Sequence, residues 1–101
     1  MARGLLSDQR FAEQFVASRI HHGAGPVRIG AELRQRGVSD ELIRRYLDQD
    51  PELWMARLRQ VHDRKYGSGP PGERKEQARR TRFLLQRGFT GEQIRDLLRQ
   101  D

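Results

Sequence analysis

Lys75, Arg79, Arg82 and Gln86 recur at i, i+4, i+7 and i+11, a spacing that lines them along one stripe of a helix. Arg80 and Arg87 fall on a flanking row, and Phe83 lies between the two rows. Arg57 and Arg64, seven residues apart on the preceding helix, share a face and extend the patch. Guanidinium groups so arranged bind carboxylates or phosphates through paired N–H donors. The chemistry on offer is recognition of an anion, with Phe83 as an apolar packing anchor. The competing reading is a solvated face, with Phe83 buried against the neighbouring helix.

The charge is unevenly placed. The chain has 101 residues, 20 of them Lys or Arg against 14 Asp or Glu, a net charge of +6. Residues 1–56 hold eight basic and eight acidic residues. Residues 57–87 hold ten basic residues against three acidic ones, so the whole excess lies in one stretch of the second half. Such a surplus favours nucleic acid, an acidic protein surface or an anionic membrane as partner. Eighteen of the 20 basic residues are Arg; a genome rich in Arg codons would explain that ratio but not the clustering.

Other chemistry is poorly supplied. Cys is absent, which removes disulfides, thiol catalysis and Cys-based zinc sites and suits a reducing compartment. His21 and His22 would point about 100° apart on a helix and cannot chelate through one face, and His62 stands alone in sequence. Ser7, Ser18, Ser39 and Ser68 have no evident base beside them. Gly23-Ala24-Gly25 follows a helical pattern, so it is not a dinucleotide loop. The expectation is a binding protein with no catalysis, no metal and no cofactor. Runs of large apolar residues reach only three, as in Phe83-Leu84-Leu85, too short for a membrane span or a signal-peptide core, and the cytoplasm is the expected location.

The elements that must position the basic residues are all helical; no stretch alternates apolar and polar residues long enough to read as a strand. Ser7 reads as an N-cap followed by Phe11, Phe15, Val16 and Ile20, with a stop at His22 before Gly23-Ala24-Gly25-Pro26. Pro26 opens a second helix with Ile29 and Leu33 that stops at Gly37. Ser39 caps a third, with Leu42, Ile43, Tyr46 and Leu47 on one face. Asp50-Pro51 starts a fourth, carrying Trp54, Leu58 and Val61 and stopping near Tyr66-Gly67. After the loop Ser68-Gly69-Pro70-Pro71-Gly72, a fifth helix runs from about Glu73 to Arg87, with Ala78, Thr81, Leu84 and Leu85 on its apolar side. Thr90 and Gln93 form a capping box for a sixth. Leu6 with Phe11, Val38 with Ile43 and Phe89 with Ile94 have hydrophobic-staple spacing.

Residues 33–47 and 84–98 are identical at eight of 15 positions, among them Leu33/Leu84, Arg36/Arg87, Gly37/Gly88 and Ile43/Ile94. Upstream, Phe11 and Phe15 align with Trp54 and Leu58, and the change in offset from 43 to 51 falls in the Gly/Pro loop. The fold class expected is all-α: two tandem three-helix repeats, 1–49 and 50–101, forming a short elongated array with the basic face on the second. The expected core is Phe11, Phe15, Leu33, Ile43, Trp54, Leu58, Leu84, Phe89 and Ile94.

The run from Leu6 to Arg19, then Gly23-Ala24-Gly25-Pro26-Val27-Arg28-Ile29, then Glu32 to Ser39, resembles the RecX regulatory proteins of bacteria. Arg64-Lys65-Tyr66-Gly67 and Arg82-Phe83-Leu84-Leu85-Gln86-Arg87-Gly88-Phe89 look like that family's C-terminal part. The resemblance implies tandem three-helix repeats, of which this chain matches the second and third. It implies a regulator, usually an inhibitor, of the RecA recombinase that binds in the groove of the RecA–DNA filament. Arg28, Arg64, Lys65, Arg82 and Arg87 are the basic positions within the matched motifs. With Arg57, Lys75, Arg79, Arg80 and Phe83 they make up the candidate partner-binding set, on a chain expected to be a monomer. The alternatives are a small helical module that binds single- or double-stranded DNA directly, and a scaffold for an unrelated acidic protein.

Overall fold

The computed structural model describes residues 2–99, with side chains from Gln9 onward. Six helices follow in order: α1 (Ala2–His21), α2 (Pro26–Gln35), α3 (Asp40–Leu47), α4 (Pro51–Tyr66), α5 (Arg74–Gln86) and α6 (Gly91–Arg99). No strand occurs among the described residues. α1, α2 and α3 pack on one another, and α4, α5 and α6 do the same, giving two three-helix units in tandem. The array is elongated, 54 Å by 20 Å by 19 Å.

Local chemistry sets the helix ends. The Ser39 hydroxyl accepts from the Leu42 amide at 3.2 Å, and the Asp50 carboxylate accepts from the Glu52 amide at 3.0 Å ahead of Pro51. Thr90 and Gln93 close a reciprocal capping box, 2.9 Å one way and 3.0 Å the other. α2 and α5 end alike. Gly37 and Gly88 take φ of +88° and +103°, and the amides of Val38 and Phe89 reach back five residues to the carbonyls of Leu33 and Leu84. Each pair so linked is also buried, which holds the start of the third helix of each unit against the core.

α1 departs from expectation. It begins at Ala2 and runs through Ser7, so Ser7 is not a cap. Ala2, Arg3, Leu5 and Leu6 are good helix formers and continue the helix upstream. The expected staple between Leu6 and Phe11 rests on a side chain outside the described ones.

One continuous core runs through both units, including Ile29, Leu33, Ile43, Trp54, Leu58, Leu84, Phe89 and Ile94. Trp54 is buried, and its indole N–H donates to the Leu47 carbonyl at 3.2 Å, tying α4 to the end of α3. Phe15 is half-buried against this core. Phe11, an expected core residue, is 37% exposed and stacks on Phe15 at 5.4 Å instead. On α5 the buried side is centred on Arg80 and Leu84, so Ala78 and Leu85, expected on the apolar side, face solvent.

The units differ at one buried position. The offset that pairs Leu33 with Leu84 pairs Ile29 with Arg80, and both are buried. Arg80 satisfies its guanidinium internally: Nε donates to Glu76 at 3.1 Å, and Nη1 donates to the Gly69 carbonyl at 2.8 Å and to His62 Nε2 at 3.1 Å. Because Arg can only donate, His62 Nε2 accepts and its Nδ1–H donates to Asp63 at 2.8 Å. Arg80 also lies over the Tyr66 ring at 4.8 Å. The side chain thus braces the long loop between α4 and α5, a loop the first unit lacks.

Candidate partner-binding surface

The two units meet at a corner. The Gly25 amide donates to the Arg87 carbonyl and the Val27 amide to the Gly88 carbonyl, both at 2.8 Å. This backbone pairing demands close approach: a Cβ at Gly25 would lie 2.5 Å from the Gly88 carbonyl carbon and oxygen. The Arg87 side chain then turns back onto α1. Its Nη2 donates to the His22 carbonyl at 2.6 Å and its Nε to the Gly23 carbonyl at 3.3 Å. Helix C-termini leave carbonyls without partners, and a guanidinium there supplies both donors and the favourable charge.

Docked this way, the end of α1, one face of α4 and the end of α5 enclose a groove of about 200 Å³. α4 contributes Arg57, Gln60, Val61 and Arg64, spaced i, i+3, i+4 and i+7, with Lys65 beside them. α5 contributes Phe83 and Arg87, and α1 contributes Ile20 to Gly23. The Lys65 ammonium sits 4.3 Å above the centre of the Phe83 ring, and the Phe83 and Tyr66 rings lie nearly perpendicular with centroids 5.8 Å apart. Phe83 is half-buried, so it both packs on the core and lines the groove. No acidic side chain is among the groove's lining residues, and Arg64 and Lys65 form no ion pair with a described residue.

Each of the two units corresponds to a different domain of one family. Residues 7–47 match the second three-helix domain of RecX, and residues 52–98 match its third. The chain belongs to the RecX family. It is 50% identical over 92 residues to the regulatory protein RecX of Halorhodospira halophila, covering 91% of this chain and 57% of that protein. It is 45% identical over 92 residues to the RecX protein of Chromohalobacter salexigens, 91% of this chain and 60% of the relative. With the RecX protein of an Escherichia coli O1:K1 strain the identity is 41% over 96 residues, 95% of this chain and 58% of the relative. The chain therefore spans about three-fifths of the length of these curated relatives. They bear the name of a regulator rather than of an enzyme.

The RecX-like motifs coincide with the corner: Gly23-Ala24-Gly25-Pro26 is one partner in it and Arg87-Gly88-Phe89 the other. The candidate basic residues divide into three groups. Arg57, Arg64, Lys65, Arg87 and Phe83 come together at the groove. Lys75, Arg79 and Arg82 are exposed on the outer face of α5, where Arg79 pairs loosely with Glu76 at 3.4 Å and Arg82 flanks the exposed Leu85. Arg28 lies on α2, its Nε 3.7 Å from Glu32 and its stem against Gly88. Arg80 leaves the set as a correction. A flanking row on a helix wheel becomes a buried position because α4 packs over that side of α5.

Sequence reasoning missed two features. Arg36, the repeat counterpart of Arg87, lies over the Phe11 and Phe15 rings at 5.6 Å and 5.2 Å. Arg19 and Glu32 approach to 3.1 Å between α1 and α2 without a hydrogen-bonding angle, so that contact is Coulombic. Alignment of the repeats pairs Arg36 with Arg87 but does not tell which of them bridges the units. Among the described residues no cluster of His or carboxylates could hold a metal ion, and no helix is long and apolar enough to cross a membrane.

Proposed function

We propose that this chain regulates the RecA recombinase by binding in the groove of the RecA–DNA filament, slowing ATP hydrolysis and recombination without catalysing a reaction of its own. Membership of the RecX family supports the reading, and the groove at the junction of the units carries it: four cations around an apolar floor, with no carboxylate among the lining residues. Units spanning 1–49 and 50–101 act together, since the groove takes walls from both. A narrow, elongated array suits a filament groove, and the cytoplasm is where such a filament resides. The test is RecA-driven ATP hydrolysis on single-stranded DNA with increasing amounts of the chain. Progressive slowing is expected; no slowing and no co-sedimentation with the filament would refute the proposal.

A second reading is direct DNA binding. The observation that favours it is the outer face of α5, where Lys75, Arg79 and Arg82 are exposed. That reading predicts DNA binding without recombinase and a steep loss of affinity between low and moderate salt.

A further inference from the structure

The groove between the units is better matched to a peptide than to a nucleic acid. Its rim is cationic: Arg57 and Arg64 stand two helical turns apart on α4, about 10 Å along the axis, with Lys65 and Arg87 alongside. Its floor is apolar, made by Ile20, Val61 and Phe83. The volume of about 200 Å³ suits one large side chain rather than a run of stacked bases. The Phe83 ring has the Lys65 ammonium over it and the Tyr66 ring packed nearly perpendicular to it, which limits its use as a stacking platform for bases.

The lining also contains acceptors. His22 and Gly23 border the groove, and their carbonyls, each bonded once by Arg87, retain a second lone pair. A peptide brings amide donors for such oxygens and carboxylates for the cations. A phosphodiester brings acceptors alone. Arg87 is already held by those two carbonyls, so an incoming carboxylate meets a guanidinium whose rotamer entropy is largely spent.

We infer that this groove binds an acidic peptide segment that inserts one large apolar side chain between flanking carboxylates. The inference rests on the proposed function only for where that peptide comes from, the recombinase surface. The probe is a short fluorescent peptide of Asp and Glu with a single central Leu, compared with the same peptide carrying Ala instead and with an oligothymidylate of equal charge. Anisotropy with the full chain should show the Leu peptide binding about tenfold tighter than the Ala peptide, a difference of about 1.4 kcal/mol. Arg57→Glu with Arg64→Glu should weaken the Leu peptide at least about tenfold, and Lys65→Glu alone should weaken it in the same direction. The equally charged control Arg44→Glu with Arg95→Glu, at exposed and repeat-equivalent positions, should leave it unchanged. Melting curves confirm that each variant is folded. Equal affinity for the two peptides, displacement of the Leu peptide by the oligothymidylate, or indifference to the groove variants would each overturn the inference. A chain that binds the peptide as expected yet never slows the recombinase upholds the groove's chemistry and defeats the proposed function instead.

Discussion

The Arg87 guanidinium donates to the His22 carbonyl at 2.6 Å, so the last turn of α1 is closed by a side chain from the other three-helix unit. With the Gly25 and Val27 amides bonded to the Arg87 and Gly88 carbonyls, this joins the units through backbone and side chain at once. Replacing Arg87 with Met keeps most of the stem and removes the donors. Two interactions to carbonyls are lost, and the melting measurement should show a cost of about 2 kcal/mol.

Gly25→Ala tests the same corner by sterics alone. Its φ of −91° suits any residue, so the whole cost comes from a Cβ placed 2.5 Å from the Gly88 carbonyl. We expect a loss of about 3 kcal/mol, at the upper end of overpacking costs. Gly37→Ala is the contrast. There φ is +88° and nothing lies within 4 Å, so only backbone strain of about 1 kcal/mol applies. Denaturant titrations should rank Gly25→Ala well below Gly37→Ala in stability.

Burial separates the aromatic residues of α1 and α4. Trp54→Ala should cost about 3 kcal/mol or more, because the ring is buried and its N–H is bonded. Phe11→Ala should cost about 1 kcal/mol, since Phe11 is 37% exposed. Thermal melts of the two variants check the order.

Most of the fold was legible in the sequence because its determinants are local. The cap at Ser39, the Asp50-Pro51 start, the Thr90–Gln93 box and the glycine stops are all decided within five residues. The repeat then paired the units without further information. The candidate site was legible only in part. Arg80 and Arg87 look equivalent on a helix wheel, yet one is buried beneath the loop after α4 and the other reaches across to α1. Their roles depend on which helix packs over each, information that spacing along one helix does not carry. The Ser7 cap misled for the opposite reason: a good capping residue is also tolerated within a helix when its neighbours favour continuation.

Arg80 gives a prediction of its own. In Arg80→Ala, Glu76, His62 and the Gly69 carbonyl lose their shared donor, and a loss of about 3 kcal/mol is expected in denaturant unfolding. Arg80→Met fills the space that Ile29 fills in the first unit and should recover part of that loss. Amide exchange in residues 67–72 should quicken in both variants, because neither can hold the Gly69 carbonyl.

The reading turns on the cations that line the groove at the junction of the units, where no carboxylate is among the lining residues, meeting the recombinase filament. Its most direct measurement is the concentration of chain that halves RecA-driven ATP hydrolysis, compared between the unaltered chain and the variant Arg57→Glu with Arg64→Glu. The variant should melt at the same temperature and require at least about tenfold more protein for the same effect. A folded variant that inhibits as well as the unaltered chain would contradict that reading.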